Sequence, residues 1–136
     1  MDYSIELTAS PDDIDELGHV SNIVYVRWIQ DIATAHSASL GLGLSVYREE
    51  GGVFVVRRHE IDYLQPVLEG QLIRLTTWVP SWKGASCERH TRIVRVSDGA
   101  EIAKAVTRWA FVGVADGRPR RIPQRILDPF QTTQAT

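Results

Sequence analysis

The sequence predicts an α+β domain in which one long helix covers a mostly antiparallel sheet of five or six strands. Three observations carry that prediction. Residues 3–8 alternate apolar and polar side chains, the period of a half-buried strand. Over about residues 21–40, Tyr25, Trp28, Ile29, Ile32, Ala35 and Leu40 recur at helical spacing, with no glycine or proline among them. After Gly51 and Gly52 the chain turns to runs rich in β-branched and aromatic residues, separated by turn signals. One strand, one long helix and then four strands are segregated rather than alternating elements, hence α+β.

The elements follow in order. Ser10, Pro11, Asp12 and Asp13 break the first strand and start a loop. Ser21 or Asn22 can cap the helix, and Gly41 can end it. At 1.5 Å per residue this helix spans about 30 Å. Residues 44–50 suit a further helical turn or two. Residues 53–64 read as the next strand, punctuated by Pro66 and Gly70. Residues 72–79 read as the following one, and residues 80–85 as a turn. Residues 87–96 form another run, ended by Ser97, Asp98 and Gly99, a tight-turn signal. Residues 102–114 are the last long run, ended by Ala115, Asp116 and Gly117. Residues 124–136 read as a polar C-terminal tail, with residues 131–136 expected to fray. A sheet half covered by its own helix keeps an open edge, so a homodimer or homotetramer is expected.

Composition narrows the function classes. A length of 136 residues suits one domain over residues 1–136. With 43% hydrophobic and 24% charged residues, the chain can build one core in water. The net charge of −2 excludes a general attraction to nucleic acid or to an anionic membrane. Basic residues cluster locally, at Arg57 and Arg58 and at Arg118, Arg120 and Arg121, which favours a small anionic ligand over a polyanion. Cys87 is the only cysteine, so no internal disulfide forms. The start of the chain has neither the positive region nor the apolar run of a secretory signal, and the cytoplasm is the expected location. No stretch approaches the roughly 18 apolar residues of a spanning helix. No Cys/His spacing suggests a metal site, and no cofactor is called for.

The segment before the long helix holds the chemistry-bearing residues. Asp13 and Asp15 supply carboxylates, Gly18 permits a tight backbone path, and His19 and Asn22 stand just before or at the helix start. A helix N-terminus presents unpaired N–H groups and roughly half a positive charge. Such an end can polarise a carbonyl oxygen or hold an oxyanion. A neighbouring carboxylate can attack the carbonyl carbon or activate a water to do so. A thioester suits this arrangement, because its thiolate leaves with little protonation. The plainer reading is that Asp15 caps the helix or complements its dipole.

The pattern Asp15-x-x-Gly18-His19-Val20-x-Asn22-x-x-Tyr25-x-x-Trp28 resembles the signature of the 4-hydroxybenzoyl-CoA thioesterase-like family of hotdog proteins. Asp13-x-Asp15 fits it as well. The His19-Val20-x-Asn22 variant resembles branches that include acyl-CoA and acyl-carrier-protein thioesterases. Further matches are Glu60 through Pro66 with Gly70, and Asp116 through Pro123. The resemblance runs from Tyr3 to about Pro123 in the family's order. It implies a hotdog fold, a long central helix wrapped by a curved sheet, and hydrolysis of an acyl-CoA or acyl-carrier-protein thioester. The implied catalytic carboxylate is Asp15, as nucleophile or as general base. The implied carbonyl-polarising group is the backbone N–H of Asn22, seven residues on. Tyr25 matches a recurrent aromatic position that either lines the thioester channel or packs in the core. His19 either orients water and assists the leaving group or fixes the turn; many relatives carry an apolar residue there.

Coenzyme A and the carrier-protein arm both carry phosphates, which Arg118, Arg120 and Arg121 can hold from a surface loop. Arg57, Arg58 and Lys83 are further options, and an ordinary charged surface is the plain alternative for each. The acyl pocket is expected from helix residues such as Val24 and Trp28, with strand residues of a neighbouring subunit. Asp31 is a second candidate carboxylate, beside His36 on the same helix. His59 and Glu60 point to opposite faces of one strand. Cys87 reads as a buried inert thiol. Two other function classes compete: a hotdog hydratase or dehydratase, which uses a different helix motif, and a non-catalytic acyl-CoA-binding hotdog protein, against which Asp15 and Gly18 argue.

Overall fold

The computed structural model describes residues 2–134. Strand β1 (Tyr3–Thr8) leads through a 3-10 turn (Pro11–Asp13) into helix α1 (Asn22–Ser39). A short helix α2 (Leu44–Glu49) follows, and then β2 (Gly52–Tyr63), β3 (Leu72–Lys83), β4 (Ser86–Arg95), β5 (Glu101–Gly113) and α3 (Gln124–Gln134). The strands form one antiparallel sheet in the order β1-β3-β4-β5-β2. This is the hotdog architecture, with five strands.

Local chemistry sets the limits of α1. Ser21 caps it, its hydroxyl accepting the Ile23 N–H at 3.3 Å. Gly41, at φ +77°, turns the chain away at the other end. Between them Val24, Tyr25, Trp28, Ile29, Ile32, Ala33 and His36 are buried, a stripe at three- and four-residue spacing. The N-terminal half of that stripe packs with Val67, Ile73, Leu75, Ile93, Ile102 and Ala103. A second apolar cluster, of Leu42, Val79, Cys87, Phe111, Ile122, Ile126 and Phe130, lies toward the other end of the helix.

Register shifts interrupt the ladders of β2 with β5, β3 with β4, and β4 with β5. Such bulges bend a strand and raise its twist. One of them corrects an expectation. β3 does not stop at Val79 but runs to Lys83, because Pro80, which has no N–H to give, falls inside the shift between Trp78 and Ser81. The C-terminal segment is a second correction. Residues 124–134 form α3 rather than a tail, and Ile126 and Phe130, four apart, are buried in the second cluster. The fraying expected at residues 135 and 136 lies outside the described residues.

A polar seam crosses the concave face between the apolar clusters. Thr77, Arg89, Thr91, Thr107 and His36 are all buried there. Arg89 donates through Nη1 to Thr77 Oγ1 at 3.1 Å and to His36 Nδ1 at 2.9 Å. A guanidinium only donates, so Nδ1 of His36 accepts and the ring is neutral, with its proton on Nε2. Tyr3 stacks on this imidazole at 5.2 Å, and Phe130 meets it edge-on at 5.1 Å. Burial, and then the Arg89 charge, push the His36 pKa down to about 4.

A pH-dependent stability follows. Unfolded His36 titrates near 6.5, so between pH 6.5 and 4 the unfolded chain binds a proton that the folded chain refuses. Folding stability is full above this window and falls as pH drops through it, by up to about 3 kcal/mol at 1.36 kcal/mol per pKa unit. Urea denaturation at pH 7 and pH 4.5 measures this loss. His36→Gln, which keeps an acceptor for Arg89, is expected to flatten the profile.

Candidate active site

Asp13 fastens the loop before α1 to the helix. Its Oδ2 accepts from the Ser10 N–H at 3.0 Å and the Ser10 hydroxyl at 3.1 Å, and its Oδ1 accepts from Arg27 Nη2 at 2.7 Å. Its carbonyl accepts the Ser21 N–H at 2.9 Å. Burial works to raise the Asp13 pKa, but the Ser10 hydrogen bonds and the Arg27 guanidinium outweigh it and leave the carboxyl below its ordinary value.

Residues 14–20 then close on themselves. Ile14 and Val20 bridge, the Asp15 N–H donates to the His19 carbonyl at 2.8 Å, and the Gly18 N–H donates to the Asp15 carbonyl at 3.1 Å. Gly18 sits at φ +82°, and a Cβ built there meets nothing within 4 Å. Its requirement is therefore conformational, worth about 1–2 kcal/mol against any other residue. The fold of the loop aims amides at Asp15: Oδ1 accepts from the Leu17 N–H at 2.9 Å and from the His19 N–H at 3.4 Å. Asp15 is exposed, and its Oδ2 has no hydrogen bond to any described residue. One oxygen is held and the other is free.

The polar partner is the start of α1. The Val20 N–H donates to the Val67 carbonyl, the Ser21 N–H to Asp13, and the Ile23 N–H to the cap hydroxyl. The Asn22 N–H has no partner among the described residues. Tyr63 reaches the Asn22 carbonyl with its hydroxyl at 3.5 Å. Leu17, Ile23, Tyr63, Leu64 and Leu68 are exposed on the segments that frame this corner, an apolar rim around a charged group.

The remaining expected residues are placed as follows. His19 fixes the loop with its backbone; its exposed imidazole makes no hydrogen bond to a described residue. Tyr25 and Trp28 are 3% and 4% exposed and pack edge-on at 5.5 Å in the core. The Tyr25 hydroxyl oxygen accepts from the Val67 backbone N–H, a contact between α1 and the residue 64–70 loop. Val24 and Trp28, the helix residues of the expected acyl pocket, pack among strand side chains of their own protomer. The cavity, of about 330 Å³, lies instead toward the C-terminal end of α1, among Leu42, Tyr47, Phe54, Trp82, Arg89 and Trp109. Arg118 and Arg121 are exposed in the segment after β5, while Arg120 donates through Nη1 to the Gly51 carbonyl at 2.7 Å. These arginines stand at the Gly52 end of β2, whereas Asp15 stands at its Tyr63 end. Asp31 is on the exposed face of α1. His59 Nδ1 lies 3.0 Å from Thr107 Oγ1. Cys87 is buried, and burial pushes its thiol up to about 12. Among the described residues, no group of His, Cys, Asp or Glu is arranged to hold a metal ion, and no helix is long and apolar enough to cross a membrane.

Sequence reasoning passed over Arg89. Its signal is the alternation Cys87-x-Arg89-x-Thr91-x-Ile93, which puts a charge on the inward face of a strand.

The Asp15 loop and the helix start are the elements by which the sequence resembles thioesterases, and the family comparison covers them both. The chain matches the thioesterase-like superfamily over residues 9–130. It belongs to that superfamily. No curated protein matches the sequence. Among solved structures, a 1,4-dihydroxy-2-naphthoyl-CoA thioesterase from Synechocystis superposes with a TM-score of 0.90 at 14% identity, over 98% of each chain. A hypothetical protein from Staphylococcus aureus solved in complex with CoA gives 0.86 at 16% identity, over 99% of this chain and 82% of that one. An acyl-ACP thioesterase from Bacteroides thetaiotaomicron gives 0.85 at 20% identity, over 93% of this chain; this chain spans about half of it, 52%. At these identities the likeness is one of fold.

For this superfamily member the Asp13 linkage makes a stability prediction. Asp13→Asn is expected to cost about 1–3 kcal/mol at pH 7, the range for hydrogen bonds to a charged group. The lowered pKa means that the contribution is complete above the ordinary carboxylate value of 3.8 and is lost only below it. Urea denaturation of the variant at pH 7 reads the loss; unchanged stability contradicts the fastening role.

Proposed function

We propose that this chain is a thioester hydrolase that cleaves an acyl-CoA or acyl-carrier-protein thioester to a free acid and a thiol. The observation that supports this best is the half-held carboxylate of Asp15 on the loop that leads to the unpartnered Asn22 N–H. In this reading the Asn22 N–H donates to the thioester carbonyl and stabilises the oxyanion that develops on it. Asp15 Oδ2 then attacks the carbonyl carbon. The tetrahedral intermediate collapses to a mixed anhydride with loss of the thiolate, and water hydrolyses the anhydride. Acting as a base instead, Asp15 takes a proton from the attacking water and ends protonated. The His19 imidazole has no hydrogen bond tying it to either step, and its N–H to Asp15 Oδ1 belongs to the main chain, so turnover is expected to survive loss of the side chain. Asp15→Asn is expected to lower kcat by about 10²- to 10⁴-fold on acyl-CoA substrates, read by thiol release. Undiminished turnover in the variant overturns the assignment.

The second part of the proposal is a homodimer formed through β2. This strand closes one edge of the sheet and offers a long row of backbone groups. Twofold antiparallel pairing of β2 with its copy sets the Tyr63 end of one protomer against the Gly52 end of the other. The Tyr63 end carries the Asp15 loop. The Gly52 end carries the arginine segment and, through Val53 and Phe54, the cavity wall. Elements far apart in one chain thereby meet: Arg118 and Arg121 receive phosphates, and the cavity receives the acyl group. Co-expression of Asp15→Asn with the double variant Arg118→Glu, Arg121→Glu tests this. Shared sites restore up to about a quarter of wild-type activity from two inactive chains, by random assortment into twofold dimers. No restoration contradicts sharing.

A further inference from the structure

The cavity toward the C-terminal end of α1 is not a plain apolar hole. Leu42, Phe54 and Phe130 give it an apolar body, and its volume of about 330 Å³ suits a small ligand. One wall holds Arg89, 5% exposed. Of the five N–H donors of a guanidinium, the two on Nη1 are used, by His36 and Thr77. The three on Nε and Nη2 have no hydrogen-bond partner among the described residues; the Phe130 ring lies 5.9 Å from the guanidinium carbon, but no described carboxylate lies in ion-pair reach of Arg89. The immediate neighbour that could share the charge, His36, is neutral. The same wall holds two further unmet donors: the indole N–H groups of Trp82 and Trp109 are buried without a partner among the described residues. These two side chains flank Cys87 across three adjacent strands. Burial lowers the Arg89 pKa to about 10, which still leaves it charged at neutral pH.

A buried charge without a counter-ion is costly, and buried polar groups are ordinarily satisfied. Here the surplus is all of one kind, donors and positive charge, beside open apolar space. We propose that this cavity binds a carboxylate carried on a compact apolar body, such as a medium-length alkyl chain or an aromatic ring system, and that Arg89 receives the carboxylate. A guanidinium offers two parallel N–H groups to the two carboxylate oxygens, and the ligand supplies the missing counter-charge. The carboxylate has two possible sources with the same chemistry: the far end of a dicarboxylic acyl group on a thioester, or a free acid. The first rests on the hydrolysis reading above; the second does not.

The test measures binding rather than turnover, in the full-length protein carrying Asp15→Asn, so that failure of hydrolysis at Asp15 leaves it untouched. Octanoate and octanamide are titrated by calorimetry. Octanoate is expected to bind about tenfold or more tightly than the amide, the preference of a charged hydrogen-bond donor for a charged acceptor. Arg89→Met is expected to remove that preference while keeping amide binding. Ala38→Trp, at an exposed helix position lining the cavity, is expected to abolish both without touching Arg89. Suberyl-CoA and octanoyl-CoA then separate the sources. Tighter binding of suberyl-CoA, lost in Arg89→Met, assigns the carboxylate to the acyl group. Equal binding of the two thioesters, with octanoate still preferred over its amide, assigns it to a free acid. Equal binding of octanoate and octanamide, no binding of either, or an Arg89→Met variant that binds octanoate as the parent does overturns the proposal.

Discussion

The seat of α1 in the hollow of the sheet is the constraint on which the other features depend. Seven side chains of one helix face are buried there, and each of the larger apolar ones contributes about 1.5–3 kcal/mol relative to exposure. The sheet meets them with small residues where space is short, Ala103 and Ala105 on β5. Once the helix is seated, its 18 residues hold its two ends about 27 Å apart. The Asp15 loop belongs to one end and the cavity to the other. A single chain therefore cannot bring its carboxylate to its own cavity without unseating the helix. In the proposed dimer an antiparallel partner joins them without any such change.

At the loop end, two carboxylates two residues apart have opposite fates. Asp13 is buried, accepts three hydrogen bonds and shares an ion pair with Arg27. Both of its oxygens are engaged in fixing the turn and the helix. Asp15 is exposed and accepts on one oxygen only. The rigidity of the second depends on the first, since the Asp13 carbonyl also holds Ser21, the cap of α1. Environments that differ so sharply over so short a span are a means of assigning separate duties to chemically identical groups.

Much of this was legible in the residues. The helix start was marked by Ser21 or Asn22 and its end by Gly41; Ser21 is the cap and Gly41 turns the chain away. Gly18 announced a backbone only glycine adopts freely, and its φ requires it. The failures have physical causes. Pro80 is a strand breaker by rule, but a bulge supplies a position where its missing N–H costs nothing. The residue 124–134 helix was hidden because its buried face is reduced to little more than Ile126 and Phe130, too few to raise a periodic signal above a polar background. The helical stripe told which face of α1 is buried, but not that its N-terminal half is filled by strand side chains while a cavity opens farther along. That difference depends on which strands face each turn, and pairing across the sheet is not written in local spacing.

Arg89 is the costliest choice in the core. Well-packed hydrophobic replacements for buried charges are often neutral or stabilising by about 1–4 kcal/mol. A leucine or methionine at this position would bury no charge. Instead the sheet carries a seam of hydroxyls, a neutral imidazole and an unpaired guanidinium, which ties folding to the protonation state of His36. The network hydrogen-bonds only one nitrogen of the guanidinium, through His36 and Thr77, with the Phe130 ring against its face, and leaves the donors of its remaining edge uncommitted. Structural arginines spend their donors on the protein around them. One that is anchored at a single nitrogen, and set in a wall beside open space, is preorganised at the expense of stability, which is the trade that binding sites make.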